Sequence, residues 1–335
     1  MRIDRDTLIK IARNTVETRV KSNRNIICVY LTGSLLRDEP LIAGTTDIDL
    51  IFVHGVEPVE EREIIKYTDE VHIDIAHHYQ GIYDQPRKLR TDPWLGSFMC
   101  ADPIQLHDVQ YWFEYTQASI CSQFTRPENV AGRSRWFADR ARKTWSEMYQ
   151  RSEIPFPSRM HSYWNTLEDA GNAISVLTGH PLTERRFLLQ FAERAERIGR
   201  RGLAPGLVDL FMDAPPAGED WEVWMNDCEM ALNALSALEK FPLRLHPFRK
   251  AYYLDVIKAF QSDLPAAALW LLMRTWTLAV SSLPQNSSHL APWTDACEKL
   301  NLSVINLADR LEALDIYLDS IEEAVDNWGT RHGVL

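Results

Sequence analysis

Residues Leu31 to Val53 read LTGSLLRDEPLIAGTTDIDLIFV. One apolar run ends in Gly33-Ser34, and a second carries Asp47 and Asp49 with only Ile48 between them. Residues i and i+2 of a strand point to the same face, so the two carboxylates project together while Ile48 turns into the core. Ionised groups rarely stand inside an apolar strand unless they are paired or hold a metal. The spacing therefore predicts a positive partner at this place.

Around this stretch lie further β-type runs: NIICVYLTG from Asn25, VHIDIAHHY from Val71 and the shorter PIQLHD from Pro103. A helical pattern at Asp4 to Lys21 precedes the first strand. EPVEEREIIKY, between the second and third strands, reads as a short amphipathic helical connection, with Pro58 and the glutamates in its first turn. Beyond about Val109 the period changes to that of helices, interrupted by the proline-rich turn SEIPFPSR. The expected organisation is an α/β domain at 1–110, a short mixed sheet with flanking helices, followed by an all-α helical domain at 111–335.

The chain has 335 residues, 45% of them hydrophobic and 25% charged, which provides a sizeable core. Its net charge of -11 disfavours a protein that grips nucleic acid mainly through phosphates and agrees better with a neutral or cationic partner. The five cysteines are scattered and never in CxxC spacing, so they read as reduced core residues of a cytoplasmic protein. The N-terminal stretch lacks the apolar core of a secretory signal. The most apolar run, Leu264 to Val280, is short for a membrane span and contains Arg274, so it reads as a buried helix.

Asp74 on the third run adds a carboxylate; His72, Asp74 and Ala76 share one face, and Val71, Ile73 and Ile75 the other. All-oxygen ligation suits magnesium, which keeps several waters and takes further ligands from substrate phosphates. Three aspartates can hold two such ions about 3.5–4 Å apart for an in-line displacement at phosphorus. Gly33 lets the backbone approach a phosphate closely, and the Ser34 hydroxyl can donate to it.

Gly33-Ser34, then Asp47-Ile48-Asp49, then Asp74 resemble the DNA polymerase β-like nucleotidyltransferase superfamily, in particular its minimal and aminoglycoside-modifying branches. The resemblance covers roughly the first 110 residues. It implies transfer of a nucleoside monophosphate from a nucleoside triphosphate, ATP first among them, to an acceptor hydroxyl, with release of pyrophosphate and two magnesium ions at Asp47, Asp49 and Asp74. The loop departs from the family where Arg37-Asp38-Glu39-Pro40 stands in place of the usual glycine.

Weaker signals lie outside that motif. Arg87 and Arg90, after the third strand, are candidate triphosphate ligands or a solvated basic loop. Lys143 stands on the first long helix of the second half, where relatives present a basic residue to the triphosphate. Asn165, Glu168, Asp169 and Asn172 fall on one helical face, read either as solvent-facing or as the wall of a cleft for a cationic or polyhydroxyl acceptor. Glu168 is one candidate general base and Asp74 the other. His72, His77 and His78 have no finger-like partner spacing, which argues against zinc.

The expected function is thus magnesium-dependent nucleotidyl transfer to a small molecule. Transfer to a protein or a tRNA end, and nucleotide binding without turnover, are the alternatives.

Overall fold

The computed structural model describes residues 4–334. They divide into two compact units, which part between Asn129 and Val130.

In the first unit, helix α1 (Arg5–Ser22) is capped by Asp4, whose carboxylate accepts from the Thr7 amide at 2.9 Å. Leu8, Ile11, Ala12 and Val16 recur at helical spacing and are buried against the sheet. The sheet has five strands, β1 (Ile26–Thr32), β2 (Thr46–His54), β3 (Arg62–Lys66), β4 (Val71–Tyr79) and β5 (Ile104–Asp108), in the order β3-β4-β2-β1-β5. It is mixed: β2 and β4 run parallel, and the other pairs are antiparallel.

Strand β3 corrects the expectation of a helical connection at 57–67. EREIIK satisfies a period of two as well as a helical one, and here Ile65 packs into the core beneath α1. Pairing decides between the periods, because β4 would otherwise expose a row of backbone N–H and C=O groups at the sheet edge, and β3 covers it.

The two faces of the sheet bury different clusters. Val29, Leu31, Ile48, Leu50, Phe52, Ile73 and Ile75 face α1. Cys28, Tyr30, Ile51 and Val53 face the short helices α2 (Pro86–Thr91), α3 (Leu95–Cys100) and α4 (Trp112–Cys121), through Leu89, Met99, Phe113 and Ile120. Cys100 and Cys121, the last residues of α3 and α4, are disulfide-bonded with their Cα atoms 5.5 Å apart. This corrects the reading of five reduced cysteines. Cys28, Cys228 and Cys297 are free and buried.

The second unit contains most of α5 (Pro127–Gln150), then α6 (Phe156–Ser175), α7 (Phe187–Arg197), α8 (Leu203–Asp209), α9 (Gly218–Ser236), α10 (Lys250–Phe260), α11 (Pro265–Ser282), α12 (Leu290–Lys299) and α13 (Leu307–Arg331). Helix α11 carries the apolar run and packs against α6, α9 and α10, with every residue from Ala267 to Val280 buried. A helix apolar around its whole circumference has to be central. Among the described residues no helix is long and apolar enough to cross a membrane.

Candidate active site

The site is built on the sheet face opposite α1. Ile48 is fully buried beneath α1, which turns Asp47 and Asp49 to the other side. In the parallel pairing of β2 with β4, Asp47 stands beside His72 and Asp49 beside Asp74. Three carboxylates from two strands thereby share one face. Asp47 and Asp74 are buried and Asp49 is half-buried.

Gly33 explains how the first motif meets the second. β1 ends at Thr32, which lies opposite Asp49 in the antiparallel register, and the chain then turns through the 3-10 segment Gly33–Leu36. Gly33 is exposed and has φ +78, a left-handed conformation that glycine adopts without strain. A Cβ at this position would collide with the Asp49 carboxylate. The glycine therefore lets the backbone pass directly over one of the acidic groups.

Ser34 is tied to the same strand. Its hydroxyl lies 3.0 Å from Thr46 Oγ1 and donates to the Asp47 carbonyl at 3.5 Å, while Thr46 Oγ1 donates to that carbonyl at 3.2 Å. These bonds fix the turn on the start of β2. Nothing in the sequence near Gly33-Ser34 marked Thr46 for this role.

The cation that the structure places on this face is Arg62, paired with Asp74. Its Nε donates to Asp74 Oδ1 at 2.6 Å and its Nη2 to Asp74 Oδ2 at 2.7 Å, a bidentate fork. The register explains the reach: Ile64 lies opposite Asp74, and Arg62 lies opposite Ala76 on the same face. Asp74 is 2% exposed and Arg62 45%, so the arginine comes to the buried carboxylate from the solvent side. Sequence reading missed Arg62 because it placed this segment in a helix.

Chemically, Asp47 and Asp49 fit a magnesium ion, which takes one or two carboxylates plus waters and substrate phosphates. Among the described residues no group of three or more His, Cys, Asp or Glu side chains is placed to hold a metal ion. On the other face of the sheet, His54 Nε2 lies 2.9 Å from His77 Nδ1, and His77 Nε2 lies 3.2 Å from Glu63, which is held by Arg19 at 2.9 Å. His78 hydrogen-bonds the Tyr83 hydroxyl at 2.8 Å; burial, then His77 and Arg62, push its pKa down to about 4.

The weaker candidates have other surroundings. Arg87 is exposed on α2. Arg90 is bound to Gln123 Oε1 at 2.9 Å and to the Ser119 carbonyl at 2.6 Å, which ties α2 to the end of α4. Lys143 and Glu168 belong to the second unit. Lys143 is 77% exposed and lies 3.9 Å from Glu147, one helical turn away.

On the polar face of α6, Asp169 and Asn172 are buried, and Asn165 and Glu168 are partly buried. Asp169 is buried and held by two hydrogen bonds from Arg140, with Nε at 2.6 Å from Oδ2. Burial raises its pKa while Arg140 pulls it back. Asn172 is fully buried; its Oδ1 accepts from the Leu182 amide at 2.7 Å and its Nδ2 donates to the Leu182 carbonyl at 3.1 Å. Glu168 accepts from the buried Arg274 at 2.6 Å. For Asp169 and Asn172 these bonds correct the water-facing reading.

No protein-family model matches the chain, and no curated protein matches it. Among solved structures, it is similar to a nucleotidyltransferase-like protein from Exiguobacterium sibiricum 255-15, with 8% identity over 87% of this chain and 91% of that chain, at a TM-score of 0.32.

Proposed function

We propose that the protein is a magnesium-dependent nucleotidyltransferase that moves a nucleoside monophosphate from a triphosphate, ATP first among them, to a hydroxyl of a small molecule, releasing pyrophosphate. The observation that carries this reading is the convergence of Gly33, Asp49 and Asp74: a left-handed glycine packed over one carboxylate, with a second carboxylate in register on the adjacent strand.

In this reading Asp47 and Asp49 hold magnesium, which supplies neutralising charge to the triphosphate when bound. The backbone at Gly33 gives a phosphate close access to the strand end, and Arg87 remains a candidate triphosphate ligand by its exposure. Asp74, beside Asp49, takes the acceptor proton in preference to Glu168, whose carboxylate is committed to Arg274. The Arg62 fork must open for Asp74 to act, and Arg62's exposed side gives it room to swing away.

A second reading, nucleotide binding without turnover, is favoured by one observation, the bidentate hold of Arg62 on Asp74. Incubation with each labelled triphosphate, magnesium and a panel of hydroxyl acceptors, followed by mass analysis, separates the two. A product heavier by one nucleoside monophosphate supports transfer, and tight triphosphate binding with no product supports the second reading.

A further inference from the structure

Inside the second unit, α6, α11 and the turns that precede α7 and α10 bring together a group of ionisable side chains, with Arg274 buried and Glu168, Glu184, Arg244 and His161 partly buried. Arg274 on α11 is 2% exposed and donates its Nη2 to Glu168 Oε2 at 2.6 Å. Its Nη1 is also buried and has no hydrogen-bond partner among the described residues. Arg244, in the 3-10 turn Leu243–Leu245, ion-pairs through Nε with Glu184 Oε1 at 2.8 Å, and its buried Nη2 likewise has no partner among the described residues. The other oxygen of Glu184 accepts from the Tyr253 hydroxyl at 2.6 Å.

The electrostatics point the same way. Burial lowers the pKa of Arg274, and the charge of Arg244 lowers it further against the opposing pull of Glu168. His161, on α6, is pushed down to about 4 by burial and by Arg274 and Arg244, so it is neutral at pH 7. Its Nε2 accepts from Asn165 Nδ2 at 3.1 Å. Burial would raise Glu184, but Arg244, Arg249 and Arg274 together hold it below the usual carboxylate range. The carboxylates here are each committed, and two guanidiniums that repel one another still present N–H groups without acceptors.

Leaving a buried charged donor unsatisfied is costly, and crowding like charges in a low dielectric adds to that cost. One oxyanion between the two arginines removes both penalties, since guanidinium N–H groups match carboxylate and phosphate oxygens. Solvent reaches the cluster at Glu168, Arg244 and Glu184, whose side chains are 18%, 23% and 25% exposed. We propose that the helical unit binds a small molecule through a carboxylate or phosphate group held between Arg244 and Arg274, with Arg244 Nη2 and Arg274 Nη1 as donors.

Thermal unfolding of the full chain tests this, with chloride replaced at constant ionic strength by inorganic phosphate in one series and acetate in another. The wild type should be stabilised progressively by at least one of the two anions, as linkage requires for a ligand of the folded state. Arg244→Gln should weaken that stabilisation by about tenfold in apparent affinity, the loss of one charge-assisted hydrogen bond. The paired variant Glu168→Gln/Arg274→Gln should do the same without leaving a lone buried charge, and it serves if Arg244→Gln fails to fold. Phosphate acting alone marks a phosphate ligand, and acetate acting alone a carboxylate. The proposal is overturned if neither anion stabilises the wild type beyond chloride, or if the folded variants respond as the wild type does.

Discussion

Arg62 grips Asp74 from the neighbouring strand through two parallel hydrogen bonds, one guanidinium nitrogen to each carboxylate oxygen. The arginine is half-exposed and the aspartate almost wholly buried, so the pair is unequal. Removing the arginine strands a buried charge, whereas removing both charges does not. Arg62→Ala should therefore lower stability by roughly 1–3 kcal/mol, the cost of a broken buried pair discounted for the exposure of Arg62. Arg62→Ala/Asp74→Asn should recover most of that loss. Urea unfolding of the single and double variants measures the coupling, and additive losses would show that the fork contributes nothing.

Gly33 is irreplaceable for two reasons at one position. Its φ of +78 costs a side-chain-bearing residue about 1 kcal/mol, and its Cβ would collide with the Asp49 carboxylate. Gly33→Ala should then displace Asp49 and weaken binding of magnesium-triphosphate more than it lowers the melting temperature. Calorimetric titration on a variant shown to be folded checks this. Unchanged affinity would move the phosphate site away from this turn.

Two histidines make the protein sensitive to acid. His78 and His161 are each held at about 4, below the ordinary value near 6.5, mainly by burial. A base with a depressed folded pKa takes up its proton more readily when unfolded, so its contribution is present above about pH 6.5 and is lost as pH falls toward 4. Each should cost up to roughly 3 kcal/mol across that window. Unfolding free energies measured every half unit should fall steeply below pH 6.5, and His78→Gln should flatten the slope. An equally steep slope in that variant would assign the effect to other groups.

Glu168 should behave as a structural residue. Glu168→Gln removes the partner of an arginine that is 2% exposed and should cost about 3 kcal/mol. Turnover per folded molecule, measured well below the melting temperature, should stay within a few-fold of wild type. A loss of about a hundredfold or more at intact stability would restore Glu168 as general base.

The features that could be read from sequence are those set by local period. Asp47 and Asp49 on one face with Ile48 in the core follows from alternation alone. So does the central place of α11, from an apolar run too continuous for a surface helix. What escaped was set by distant partners. Glu168 and Asp169 resemble a solvated helix face until Arg274 and Arg140, 106 and 29 residues away, are brought to them. Cys100 and Cys121 are 21 residues apart in no recognisable spacing, and only the packing of α3 against α4 joins them. β3 escaped because five residues with charged ends fit either period, and with it went Arg62, the partner of Asp74.

The central claim is that Asp47 and Asp49 support nucleotidyl transfer. Its most direct test is mass analysis of an acceptor panel after incubation with labelled ATP and magnesium, using wild type beside Asp47→Asn and Asp49→Asn. The account predicts an acceptor heavier by one adenylyl group with the wild type, and a loss of about a thousandfold or more in each folded variant, as removal of a metal ligand should produce. Transfer by either variant at the wild-type rate under saturating magnesium would contradict it.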